Sequence, residues 1–203
     1  MTLALARGTL TRLGGDNGTG KTTLLEVVSG YLRPWAGTVL VAGHPAHSDA
    51  ARARRRVCRT QPALYPTMTA AEHLEFASRA VGRPLEEALA RAERYGLDPW
   101  LDHEAKELST GNSRKLWLLM CTLGEFDLVL LDEPMNGLDA SAAAILWAEI
   151  EQWRATAAVV LVAHHLPGTV QPDRTVDLGR HPAAPSAGAD VLADGGAARA
   201  RRG

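Results

Sequence analysis

Gly15-Asp16-Asn17-Gly18-Thr19-Gly20-Lys21-Thr22-Thr23, residues 15–23, is the stretch on which the fold turns. It fits the phosphate-loop pattern G-x-x-x-x-G-K-[ST] through Gly15, Gly20, Lys21 and Thr22. Glycines let successive backbone N–H groups turn inward and cradle phosphate oxygens, and a helix opening at the end of the loop adds its positive dipole end. The pattern requires a strand before it and a helix after it. Gly8–Leu13 reads as that strand and Lys21–Ser29 as that helix, with Gly30 as a C-terminal stop. Residues 15–23 therefore form the candidate nucleotide cradle. Lys21 is aimed at the β- and γ-phosphates, and the Thr22 hydroxyl at Mg²⁺.

Further along, Leu128-Val129-Leu130-Leu131 is a continuous apolar run, as a strand buried on both faces should be. It ends in Asp132-Glu133, and a buried strand cannot carry charge, so the two carboxylates must emerge at its tip. If the sheet is parallel, that tip faces the phosphate loop. Asp132 is then placed to hold Mg²⁺ or its water, and Glu133 to orient and polarise an attacking water.

The remaining segments frame these two motifs. MTLALARG reads as a short strand ahead of Gly8, and Pro34 and Gly37 mark a turn before a strand at Thr38–Val41. The basic run ARARRRVCR, 51–59, reads as a solvated helix face. Thr69 and Glu72 form a capping-box pattern ahead of Leu74, Phe76 and Val81. Leu85–Tyr95 and Ser109–Leu123 are expected helices. A helix over about 140–156 carries Leu146, Ile150 and Trp153 on one face, and Val159–Ala163 is a second buried strand. Strands thus bracket a helical insert. The expected fold class is α/β with a parallel sheet. The core spans about 1–65 and 123–180, the helical subdomain about 66–122, and residues 181–203 read as a disordered tail.

The chain has 203 residues and a formal net charge of −1, so bulk charge points neither to nucleic acid nor to an anionic membrane. Cys58 and Cys121 are far apart in sequence and read as free thiols. His44 and His47 have no third ligand nearby to suggest zinc. No stretch has the flanks of a signal peptide, and none approaches the ~18 apolar residues of a membrane span.

A phosphate loop alone admits kinases, GTPases and many ATPases; no N-K-x-D guanine-reading motif accompanies it here. Leu108-Ser109-Thr110-Gly111-Asn112 resembles the LSGGQ signature of ATP-binding cassette (ABC) ATPases, with Thr110 and Asn112 departing from it. Gln61, in RTQPALYPTMTAAEHL, looks like the family's Q-loop glutamine. EPMNGLD looks like the loop after the acidic strand, ending in Asp139. His164 stands after a buried strand, where the family places its switch histidine. The order of these motifs covers the chain from Gly8 to about Leu178.

The resemblance implies a P-loop NTPase core of RecA-like type with an inserted signature subdomain. It implies ATP and Mg²⁺ as cofactors and hydrolysis of ATP to ADP and phosphate. Gln61 is implied to contact Mg²⁺ and the water, and His164 the γ-phosphate. Ser109 and Gly111 are implied to hold the γ-phosphate of a nucleotide bound to a second cassette, identical or not. Asp139 is implied to lie at the cassette–cassette contact. The implied setting is the cytoplasmic face of the cell membrane, peripheral on an integral membrane permease, with export preferred to import and no nucleic-acid partner. The alternatives are a non-transport ABC ATPase of the iron–sulphur assembly type and a regulatory cassette with weak hydrolysis. The family also carries an adenine-stacking aromatic residue on a strand upstream of the one MTLALARG resembles. This chain has no aromatic residue before Tyr31. Either its start is placed too far downstream or the adenine platform is missing.

Overall fold

The computed structural model describes residues 2–163, 166–168 and 170–179. The elements run β1 (Thr9–Gly14), α1 (Lys21–Val28), β2 (Leu40–Val41), β3 (His44–Pro45), α2 (Asp49–Ala53) and β4 (Arg55–Cys58). They continue with α3 (Ala70–Val81), α4 (Leu85–Arg94), α5 (Thr110–Cys121), β5 (Leu128–Asp132), α6 (Ala140–Arg154), β6 (Ala158–Val162) and β7 (Arg174–Asp177). Five strands form one sheet in the order β4-β5-β6-β1-β7, and every neighbouring pair is parallel. The α/β expectation holds, with three helices strung between β4 and β5.

Alternation along the strands assigns the two faces of the sheet. Leu10, Val129, Leu131, Val159 and Leu161 join Leu74, Leu116, Leu119, Leu146 and Ile150 in one apolar cluster. Leu13, Leu128, Leu130, Val160 and Val162 join Leu25 and Ala51 in another. One face is therefore covered by α1 and α2, and the other by α3, α5 and α6. Coverage on both sides is what leaves β5 and β6 almost wholly apolar.

Helix ends follow their sequence signals. Thr69 and Glu72 make the reciprocal capping box of α3, and Gly82 closes that helix in the left-handed conformation at φ 65°. A buried charge network fastens α4 to α6. Arg91 donates to both carboxylate oxygens of Glu149, at 2.8 and 2.6 Å, while Tyr95 and Arg94 donate to the same carboxylate. Burial, followed by the Glu149 charge, pushes the Tyr95 hydroxyl well above its ordinary pKa.

Several local expectations need correction. Residues 2–6 form no strand, because no neighbouring strand offers them a ladder. Scattered bonds hold this segment instead: Arg7 pairs with Asp127, and Arg174 donates to the Ala4 carbonyl. Together with Leu24, Val28 and residues 38–43, it lines a cavity of about 510 Å³. Thr38–Val41 shrinks to Leu40–Val41, paired antiparallel with His44–Pro45 across a turn with positive φ at Ala42 and Gly43. The basic run at 51–59 is only partly a solvated helix. Its second half is β4, where Arg55 is buried and donates to the Ala46 carbonyl. Cys58 and Cys121 are both free, as expected, but the fold brings them near each other where α5 packs on β4, and the neighbouring Cys121 thiol pulls the Cys58 pKa down. The 181–203 tail lies outside the described residues.

Candidate functional site

All five strands run the same way, so their carboxyl ends share one edge of the sheet, where ligands of such folds bind. Leu13 of β1 and Asp132 of β5 are both in register with Val162 of β6. With strands ~4.8 Å apart, the acidic tip stands about 10 Å across the sheet from the root of the phosphate loop. β4 ends beside β5, with Cys58 opposite Leu131, so the chain leading to Gln61 emerges at the same edge. Thr60 then donates its hydroxyl to the Asp132 carbonyl at 3.3 Å, and Gln61 itself is exposed.

The phosphate loop is made largely of backbone. Gly15, Gly18 and Gly20 all have positive φ, at 127°, 83° and 94°, a region in which other residues are strained. Gly15 also has no room for a side chain, since an added Cβ would stand 2.7 Å from Thr19 Oγ1. Gly20 precedes α1 and offers no side-chain cap. The first-turn N–H groups of Lys21, Thr22 and Thr23 thus lack an intrahelical acceptor and point toward the loop. Lys21 Nζ donates to the carbonyls of Gly15 and Asp16 at 2.6 and 2.8 Å. The ammonium is folded onto its own loop, at the place an anion would compete for it. Asp16, Asn17, Gly18, Thr22 and Thr23 are exposed along the cradle.

The acidic tip is held differently. Glu133 has φ 49°, a left-handed conformation that costs a non-glycine residue about 1 kcal/mol or more. Its N–H donates to Val162 O at 3.0 Å, and its carbonyl accepts from Arg114 Nη2 at 2.8 Å and from the Asn136 N–H at 3.2 Å. Arg114 comes from α5, the helix that Ser109 caps. It is 3% exposed, and sequence reasoning passed over it. The signal was present: Arg114 shares a helix face with the buried Leu118, one turn on, so a lone cation sits in an apolar stripe.

Ser109 accepts from the Asn112 N–H at 3.2 Å as the N-cap of α5. A Cβ added at Gly111 would lie 3.2 Å from Gly137 O, so the signature turn packs directly on the loop after the acidic strand. Asp139 ends that loop, caps α6 through the Ala142 N–H at 2.9 Å, and pairs with Lys115 at 2.6 Å. The Ala142 bond first, and Lys115 second, hold its carboxyl below the usual pKa. Gln61, Asp132 and Glu133 are thus gathered at the edge that carries the phosphate loop, while Ser109, Gly111 and Asp139 form a neighbouring group on α5 and the loop before α6. His164 lies outside the described residues.

Among the described residues, no cluster of three or more His, Cys, Asp or Glu side chains is poised around a metal. A magnesium ion does not require one, because it takes oxygen donors from one or two carboxylates together with substrate phosphates and water. The Thr22 hydroxyl, the Asp132 carboxylate and the Gln61 amide oxygen are donors of the right kind.

A parallel sheet with a glycine loop at its carboxyl edge and an acidic strand tip two strands away defines a phosphate-loop nucleotide-binding protein. Residues 1–136 match the family model described as ABC transporter, and the chain belongs to that family as an ATP-binding cassette. It is 34% identical over 163 residues to the human retinal-specific phospholipid-transporting ATPase ABCA4, a match covering 77% of this chain and 7% of that protein. The chain thus spans a small part of the length of that relative. A solved structure described as the ATP-binding subunit of an ABC transporter superposes with a TM-score of 0.74 at 27% identity, covering 80% of this chain and 70% of that one. The fold is shared with a bacterial ABC transporter cassette solved as a dimer, with a TM-score of 0.70 and 21% identity over 80% of this chain and 78% of that one.

Proposed function

We propose that this chain is the ATP-hydrolysing motor of an ABC transporter, working against a second cassette. The observation that carries the reading is the shared register of Leu13 and Asp132 with Val162, which puts phosphate cradle and acidic tip on one edge. ATP lies with its phosphates on residues 15–23, where Lys21 exchanges its loop carbonyls for the β- and γ-phosphate oxygens. Thr22, Asp132 and Gln61 would hold Mg²⁺, which would offset phosphate charge. Glu133 accepts a proton from the attacking water as its oxygen bonds the γ-phosphorus; the bond to the β–γ bridging oxygen breaks, leaving ADP and phosphate. Ser109 and Gly111 cover the γ-phosphate bound to the partner cassette, a role consistent with the bacterial cassette solved as a dimer. His164 is assigned to the γ-phosphate by sequence order alone. The core–helical division near residues 65 and 123 allows the helical part to turn as cassettes close.

No described helix is long and apolar enough to cross a membrane. The membrane path is therefore assigned to another chain or another part of a longer one, with the cassette on the cytoplasmic face. The human relative is named a phospholipid transporter. That name makes a phospholipid the first cargo class to assay.

The test is Glu133→Gln. Gln keeps the shape but cannot take the proton, so turnover should fall by ~10²- to 10⁴-fold. Binding of ATP·Mg²⁺ should persist, and trapped ATP should hold two cassettes together in size-exclusion chromatography. Near-normal turnover in this variant would remove Glu133 as the base.

A further inference from the structure

Arg114 holds four backbone carbonyls at once. Nη1 donates to Arg59 O at 2.8 Å and to Thr60 O, while Nη2 donates to Asp132 O at 3.2 Å and Glu133 O at 2.8 Å. Two of these carbonyls belong to the chain leaving β4 just before Gln61, and two to the tip of β5. The Arg59 carbonyl also accepts from Trp117 Nε1, on the same helix, at 3.0 Å. All of the clamp's bonds run through the terminal nitrogens; Nε finds no acceptor. A planar fork with two terminal donor groups can bridge two separate chain segments, which a single ammonium cannot do.

We propose that Arg114 is a positioning residue for hydrolysis, fixing Glu133 and the entry to Gln61 relative to each other from the signature helix. The proposal rests on the reading of Glu133 as the base. Glu133 sits in a left-handed backbone conformation that persists only where its surroundings over-determine it. Val162 holds it from the neighbouring strand β6 and Asn136 from its own loop, while Arg114 holds it from a helix. The N-terminus of the same helix, about one turn before Arg114, carries Ser109 and Gly111. A movement of α5 as a partner cassette's ATP engages that end is thereby delivered to the carbonyls of Asp132 and Glu133. Arg114 has no bond to residues 15–23, so nucleotide binding and base placement are served by separate parts of the structure.

The experiment compares the full chain with Arg114→Lys and Arg114→Met, measuring thermal midpoint, ATP affinity, KM and kcat well below each variant's unfolding temperature. Small misplacements of reacting groups cost up to ~10²-fold in rate. Arg114→Met should lose on the order of 10- to 100-fold in kcat with KM and ATP affinity held within about two-fold. Arg114→Lys should retain an intermediate kcat, since an ammonium can satisfy one carbonyl pair and not both. A purely structural role predicts a different pattern, with KM, affinity and kcat degrading together as the fold loosens. If Arg114→Met fails to fold, Arg114→Lys alone decides. Full kcat in the lysine variant, or parallel loss of kcat and affinity, overturns the proposal. Glu133→Gln, run alongside, separates the two readings. Turnover surviving that change removes the base and this inference with it. Turnover abolished there but intact in Arg114→Lys removes the Arg114 role alone.

Discussion

The phosphate loop and the acidic strand tip share one edge of the sheet, yet one is built from its own backbone and the other from distant side chains. Between Gly15 and Thr22 the chain supplies every element of the cradle, and even Lys21 is bonded to carbonyls five and six residues behind it. At Glu133 the conformation is maintained from outside, by Val162 across the sheet and by Arg114 from a helix behind it. Local construction makes a site that can be read as a motif. Remote construction makes one that depends on the position of other elements, which suits the base proposed here if its action awaits a second cassette.

The sharpest way to break this contrast is to remove one charged group from each region. Glu133→Gln should sacrifice turnover and spare binding, as argued above. Lys21→Ala should do the reverse in order of events, losing affinity before any effect on the chemical step can be seen. A hydrogen bond to a charged group is worth ~1.5–3 kcal/mol, so the dissociation constant for ATP·Mg²⁺ should rise by on the order of 10- to 100-fold. Calorimetric titration reads this directly. Equal affinities in wild type and Lys21→Ala would mean that the lysine never leaves its loop carbonyls.

Within the loop, two glycines separate strain from collision. Gly15→Ala must adopt φ near 127° and also bring a Cβ to 2.7 Å from Thr19 Oγ1. Gly18→Ala meets nothing within 4 Å and faces only its φ of 83°. The second change should cost about 1 kcal/mol, as a single left-handed residue does, and the first ~1–3 kcal/mol, both read as weaker ATP binding. Adding Thr19→Ala to Gly15→Ala should recover part of the loss, because it removes the atom that collides. No recovery would show that backbone strain alone sets the cost.

The same contrast explains what the sequence made legible. The loop could be read because its spacing is its geometry. The acidic tip could be read because four apolar residues followed by two acids leave a buried strand nowhere else to put charge. The positive φ of Glu133 has no local mark, since Glu does not favour that region and only its surroundings impose it. Arg114 was readable in principle as a cation on the apolar face of α5, but its four acceptors come from two segments that only folding brings together. β4 was masked by arginines at 55 and 56, whose charge suggested solvent while Arg55 was finding a buried carbonyl. β7 carries no apolar run, being a short edge strand with mostly exposed residues, and it was missed for that reason. MTLALARG carries alternation without a partner, and alternation alone does not form a strand.

The smallest expected effect lies at Asp139, where the two regions' neighbours meet. Its carboxylate caps α6 and pairs with Lys115, the residue after Arg114 on α5. Asp139→Asn keeps an equally good cap, since Asn and Asp rank together at that position, and removes only the ion pair. More than half of the Asp139 side chain is exposed, so the loss of stability should stay within about 1 kcal/mol. Its sign with pH follows from the lowered pKa of this carboxyl. A depressed carboxyl stabilises the fold above the ordinary carboxylate range and loses that contribution as pH falls through its folded value. The gap between wild type and Asp139→Asn should therefore be open at neutral pH and close in acid, in urea titrations of the nucleotide-free protein. Lys115→Met should open a comparable gap by removing the other partner, and combining it with Asp139→Asn should add little. A gap that stays constant from neutral pH down to acid unfolding would mean that the pair exerts no electrostatic hold, and that the signature helix and the loop before α6 are joined by packing at Gly111 and Gly137 alone.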